Sequence, residues 1–117
     1  MKMVRKLMCV NITSKDSKRL ADFYRAIGVP VYVNDEDYDG WFLGNSENEG
    51  CVTVWDENKW GPSCAGFITM VFEVDDLEET YEKIISQGIA INPPRTADWG
   101  GQELTLKDPD GNIIMFL

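Results

Sequence analysis

Apolar residues follow two different rhythms along this chain. Near the start they alternate: Met8, Val10 and Ile12 fall on one side, Cys9, Asn11 and Thr13 on the other. That period of two predicts a half-buried strand within residues 3–13. The rhythm then lengthens. Leu20, Phe23, Tyr24 and Ile27 sit at i, i+3, i+4 and i+7, one apolar stripe of a helix. Ser14 or Asp16 can cap its start by accepting from free N–H groups of the first turn, and Gly28 supplies the left-handed residue that ends it. Residues 29–34, 41–43 and 51–55 read as three short strands, separated by the acidic turn Asp35-Glu36-Asp37 and a polar turn over 44–50. Residues 59–66, with Pro62 and two glycines, read as a linker.

The second half repeats this order. Residues 67–74 predict a strand. Asp75 or Asp76 starts a helix, with Glu78 or Glu79 in place for a capping box. Leu77, Tyr81, Ile84 and Ile85 form the buried stripe, and Gly88 closes it. Ile89-Ala90-Ile91 follows as the counterpart of Val29-Pro30-Val31, then a loop through Pro93, Pro94 and Trp99. Residues 103–107 and 113–117 make a terminal hairpin around Asp108-Pro109-Asp110-Gly111-Asn112, in which Pro sets the first corner and Gly takes the positive φ. Asp16 and Asp76 are 60 residues apart, and so are Gly28 and Gly88. One offset shared by a helix start and a helix stop indicates a duplicated module. The fold class is α+β, two tandem βαβββ modules in one domain: module one over about 3–58, the linker over 59–66, module two over 67–117.

Composition narrows the function. A chain of 117 residues with 44% hydrophobic content is expected to be a single globular domain. Its 20 acidic and 11 basic residues give a net charge of −9, which repels phosphate backbones and argues against nucleic acid as a partner. No stretch approaches the apolar length of a membrane span, and Leu7-Met8-Cys9-Val10 is too short for a signal-peptide core. A cytoplasmic location is expected. Cys9, Cys51 and Cys64 are an odd number without close spacing, so neither a zinc site nor a disulfide framework is indicated, and buried free thiols are the plain reading. There is no histidine, hence no base to activate a cysteine.

The strand leading to Asp16 with Phe23-Tyr24 beyond it, Val74-Asp75-Asp76-Leu77, Gly88, Trp99-Gly100 and Asp108-Pro109-Asp110-Gly111-Asn112 together resemble the vicinal oxygen chelate superfamily, that of glyoxalase I, bleomycin resistance protein and the extradiol dioxygenases. The resemblance implies curved mixed sheets around a cavity, and commonly a dimer. In metal-using members the first and last strand of each module supply ligands, usually histidine and glutamate. Those positions fall here on Cys9, Thr69 and Met115, and the repeat offset carries the fourth to Trp55, within one or two residues. A divalent catalytic ion wants imidazole or hard oxygen donors, so no metal and no cofactor is expected.

By alternation Cys9, Asn11, Thr53, Trp55, Thr69, Val71, Ile113 and Met115 share the cavity face, while Val10, Ile12, Val52, Val54, Met70, Phe72, Ile114 and Phe116 face the helices. Trp41, on a strand, and Trp99, in the loop that rims the pocket in similar proteins, are candidate aromatic walls, with Gln102 beside the latter. The expected ligand-binding set is therefore Cys9, Asn11, Trp41, Thr53, Trp55, Thr69, Trp99, Gln102 and Met115, with no catalytic residue. The plainer alternative is that these side chains only fill space.

Two functions from different classes follow. The first is a metal-independent binding protein of the bleomycin-resistance kind, holding a cationic or aromatic antibiotic-like small molecule. The second is a metal-free lyase or isomerase with Glu73 or Glu103 as base and Asn11, Thr69 or Gln102 as donor. An inert interaction paralogue is a third. Open sheet edges and a terminal strand ending at Leu117 lead to the expectation of a symmetric homodimer, with Trp60 and Pro62 near its boundary.

Overall fold

The structure, a computed structural model, describes residues 3, 5, 9–33, 40–45, 51–62 and 66–117, the Cys51 side chain excepted. The expected acidic turn Asp35-Glu36-Asp37, most of the polar turn before Cys51, the Cys64 thiol and the Leu7-Met8 part of the first strand lie outside those residues. The elements run β1 (Cys9–Ser14), α1 (Ser17–Ala26), β2 (Val31–Tyr32), β3 (Trp41–Leu43), β4 (Cys51–Asp56), α2 (Glu57–Trp60), β5 (Thr69–Phe72), α3 (Leu77–Ser86), β6 (Arg95–Thr96), β7 (Gln102–Lys107) and β8 (Ile113–Phe116). They build two four-stranded sheets of identical order, β1-β4-β3-β2 and β5-β8-β7-β6. In each, the first strand runs parallel to the last and the remaining pairs are antiparallel. This is βαβββ twice, as the repeat implies.

The duplicated signals do the same work in both halves. Asp16 accepts from Arg19 N at 3.1 Å and Asp76 from Glu79 N at 3.0 Å, so the later candidate of each pair is the cap. Both helices are ten residues long, and both stop at a glycine of positive φ, 92° at Gly28 and 79° at Gly88.

Three elements depart from the sequence reading. β2 begins only at Val31, because Val29 N is committed to the end of α1, donating to Tyr24 O at 2.9 Å. Ile89-Ala90-Ile91 forms no strand; β6 comes later, after Pro93 and Pro94, which have no N–H for a ladder. The expected linker opens with a helical turn, α2, capped by Asp56 through Asn58 N at 2.9 Å and ended by Gly61 at φ 111°.

A single hydrophobic core joins the helix-facing sides of both sheets, including Ile12, Leu20, Tyr24 and Val54 of the first module and Met70, Ile84, Leu104, Ile114 and Phe116 of the second. Tyr24 bridges the modules. Its hydroxyl lies 3.5 Å from Met70 Sδ and 2.7 Å from Asp108 Oδ2, and its ring packs 6.3 Å from Phe72. The alternate residues Asn11, Thr69, Val71 and Ile113 are exposed. The modules thus meet through their helix-bearing sides, and each sheet turns its other face, the open face, away from the shared core.

Candidate functional site

The open face of the first sheet carries an aromatic cleft of about 230 Å³, lined by Asn11, Thr13, Trp55 and Trp60. Its geometry follows from the parallel pairing of β1 with β4, which sets Asn11 opposite Thr53 and Thr13 opposite Trp55. Trp55 Nε1–H donates to Asn11 Oδ1 at 3.0 Å. Gly40 lies against the other end of the same indole: a Cβ there would stand 2.7–3.0 Å from the six-membered ring. The α2 turn then brings Trp60 beside Trp55, ring centroids 5.4 Å apart at 62°, an edge-type contact of the favoured kind. The Thr13 hydroxyl donates to Pro62 O at 2.9 Å and pins the chain leaving α2. Cys9 Sγ approaches Asn11 Oδ1 at 3.6 Å.

Cys9, Asn11 and Trp55 are therefore brought together as expected of one face. Three members of the expected set are placed otherwise. Trp41 stands opposite Val54 on the helix-facing side, packs on the core and is covered by the Arg25 guanidinium 5.6 Å from its ring; in a three-residue strand there was too little alternation to assign its side. Thr53 shares the side of Asn11 but is fully buried, and its hydroxyl oxygen makes no hydrogen bond. Gln102 alternates onto the side of Leu104, away from Met115.

Thr69, Val71, Ile113 and Met115 share the open face of the second sheet, with Thr69 opposite Ile113 and Val71 opposite Met115. Trp99 rims that sheet, 64% exposed, its ring laid over Gly101 where a Cβ would collide with it. Module-two residues do not line the Trp55 cleft.

Sequence reasoning set Trp60 near a dimer boundary and left it out of the ligand-binding set. Its signal was present: Asp56 followed by Glu57-Asn58 and a Gly61-Pro62 stop reads as a short capped helix, which places Trp60 one turn beyond Trp55.

Of the carboxylates considered as bases, Glu103 is ion-paired and Glu73 lies off the open face. Glu103 is buried on the open side of β7, and its Oε1 accepts from both Nε (3.0 Å) and Nη2 (2.7 Å) of Arg95. Glu73 lies beyond the end of β5, on a groove of the helix side with Arg25 and Lys83, not on the open face.

The strand register also corrects the fourth metal position. Cys9 pairs with Cys51, but Thr69 pairs with Ile113, so the last strand is displaced by two residues in the second module. The counterpart of Met115 is Thr53, not Trp55. Cys9, Thr53, Thr69 and Met115 are a donor set unsuited to a catalytic divalent ion. Among the described residues, no three His, Cys, Asp or Glu side chains cluster as metal ligands.

Paired βαβββ modules with an open face on each sheet define a class, and the comparisons agree. Residues 6–116 match the family model of the Glyoxalase/Bleomycin resistance protein/Dioxygenase superfamily, and the chain belongs to that superfamily. Among its relatives is a bleomycin resistance protein of Klebsiella pneumoniae, 25% identical over 115 residues that cover 92% of this chain and 87% of the relative. Similar solved structures include TnmS3, an antibiotic binding protein from Streptomyces sp. CB03234 (18% identity, TM-score 0.75, 99% and 97% of the two chains). A bleomycin-binding protein complexed with bleomycin is similar too (24% identity, TM-score 0.68, 97% of each chain). Among the described residues no helix is long and apolar enough to cross a membrane.

Proposed function

We propose that this protein captures an aromatic, antibiotic-like small molecule, without a metal and without chemical conversion. The observation that carries the reading is the cleft walled by Trp55 and Trp60 with Asn11 between strand and ring. The names of the Klebsiella relative and of the antibiotic-binding neighbours support it. A cavity of about 230 Å³ is smaller than the roughly 300–1,000 Å³ that hold a drug-sized molecule, so a further wall is needed. The open face of the second sheet offers one: Val71 is 56% exposed with Met115 opposite it and Thr69 on the same strand, and Trp99 is exposed in the loop between β6 and β7. Because the two open faces both turn away from the shared core, the wall comes from a second copy. The protein is then a symmetric homodimer with two clefts, each combining Cys9, Asn11 and Trp55 of one chain with Thr69, Met115 and Trp99 of the other. The net charge of −9 raises the local concentration of cationic ligands.

Titration with a panel of cationic and aromatic antibiotics, followed by Trp fluorescence, tests the reading. Saturable quenching by at least one compound is expected, unchanged by chelator and weakened about tenfold or more by Trp55→Ala. No response to millimolar concentration anywhere in the panel overturns it. Light scattering at micromolar concentration tests the assembly: a mass near the 13.3 kDa of one chain rules out the shared clefts.

A further inference from the structure

The hydrogen bonding of Asn11 sets the polarity of the cleft. An indole N–H can only donate, so the Asn11 atom 3.0 Å from Trp55 Nε1 is the carbonyl oxygen. The Cys9 thiol approaches the same oxygen at 3.6 Å. Both contacts fall on Oδ1, which leaves the Nδ2–H₂ end of this exposed residue's amide to other partners. The Trp55 N–H is itself consumed, and among the described residues no carboxylate lines the cavity. What this chain's side of the cleft offers a ligand is an aromatic wall with a donor at its edge.

We infer that the cleft selects planar heteroaromatic rings bearing a hydrogen-bond acceptor at the ring edge, and that Asn11 Nδ2 is the donor that reads it. This rests on the aromatic-capture reading above and names its ligand class. A site that offers a donor discriminates against an analogue lacking the acceptor, because the donor is left unpaired on binding.

The test is calorimetric titration of the full chain with three probes: 6-hydroxyquinoline, 2-naphthol, which lacks only the ring nitrogen, and N-methylquinolinium, whose nitrogen cannot accept. The wild type is expected to bind 6-hydroxyquinoline about tenfold more tightly than 2-naphthol, the worth of one good hydrogen bond. Asn11→Asp keeps an acceptor for Trp55 Nε1 but replaces the Nδ2 donor with an acceptor. It is expected to abolish that preference and to favour N-methylquinolinium. Equal binding of the first two probes by the wild type, or a preference surviving in Asn11→Asp, overturns the donor inference while the aromatic cleft stands. Failure of all three probes to bind removes the underlying reading as well.

Discussion

The Tyr24 hydroxyl donates to Asp108 Oδ2 at 2.7 Å, joining the first helix to the terminal hairpin across 84 residues of chain. Both side chains are buried. The same carboxylate accepts from Asn112 Nδ2 and from the backbone N–H groups of Asp110 and Asn112, so one residue shapes the turn and ties it to the other module. Tyr24→Phe removes a hydrogen bond to a charged acceptor, a loss of about 1.5–3 kcal/mol. Urea unfolding is expected to show a lower midpoint at unchanged slope, with ligand affinity at Trp55 unaltered.

The same tyrosine predicts a pH response. Burial first, and then the bond to Asp108, raises the Tyr24 pKa far above its ordinary 10.0. The unfolded chain loses this proton near pH 10 and the folded chain retains it, so the folded state binds more protons and stability falls as pH rises. The contribution is complete below pH 10 and declines steadily above it. Unfolding midpoints measured from pH 8 to 11 should fall more steeply for the wild type than for Tyr24→Phe; parallel curves would contradict the assignment.

Gly40 is required by the ring beside it, not by its own backbone, which has no positive φ. Gly40→Ala puts a methyl 2.7–3.0 Å from the Trp55 ring and displaces the indole from Asn11. The expected result is a shifted Trp emission and roughly tenfold weaker binding of aromatic ligands, since the wall is no longer held in place before the ligand arrives. Unchanged binding would mean that the indole position is immaterial.

Thr53 carries a fully buried hydroxyl oxygen without a hydrogen bond. Leaving such a group unsatisfied costs about 1–3 kcal/mol. Thr53→Val, which keeps the branched shape, is expected to raise the thermal midpoint and leave ligand binding alone. A drop in stability would show that the oxygen has a partner in solution, such as an internal water.

The parts of this fold legible in the sequence are those governed by local chemistry. Asp16 and Asp76 cap because a short carboxylate can reach a free N–H three residues on, and Gly28 and Gly88 stop because few other residues accept their φ. The apolar alternation of Ile12, Val54, Met70, Ile114 and Phe116 likewise found the buried side. The site was legible only where the strands were long. Asn11 and Trp55 sit in six-residue strands, whereas Trp41 sits in one of three, and its side is settled by pairing with Val54. The counterpart of Met115 was legible only to within two residues because register is a property of two strands together, and a two-residue displacement preserves the alternation that a single strand reveals.

The placement of the core between the repeats bears on ancestry. Tyr24, Met70, Ile114 and Phe116 bury one another across the module boundary, so a chain of one repeat would leave half of that surface wet. A single repeat on its own would need a second copy to cover that surface, and two repeats in one chain supply it. Once fused, the halves no longer needed to match away from the core. One open face carries a pair of indoles with an amide and the other aliphatic and thioether groups, a difference that a pair of identical single-repeat chains cannot hold.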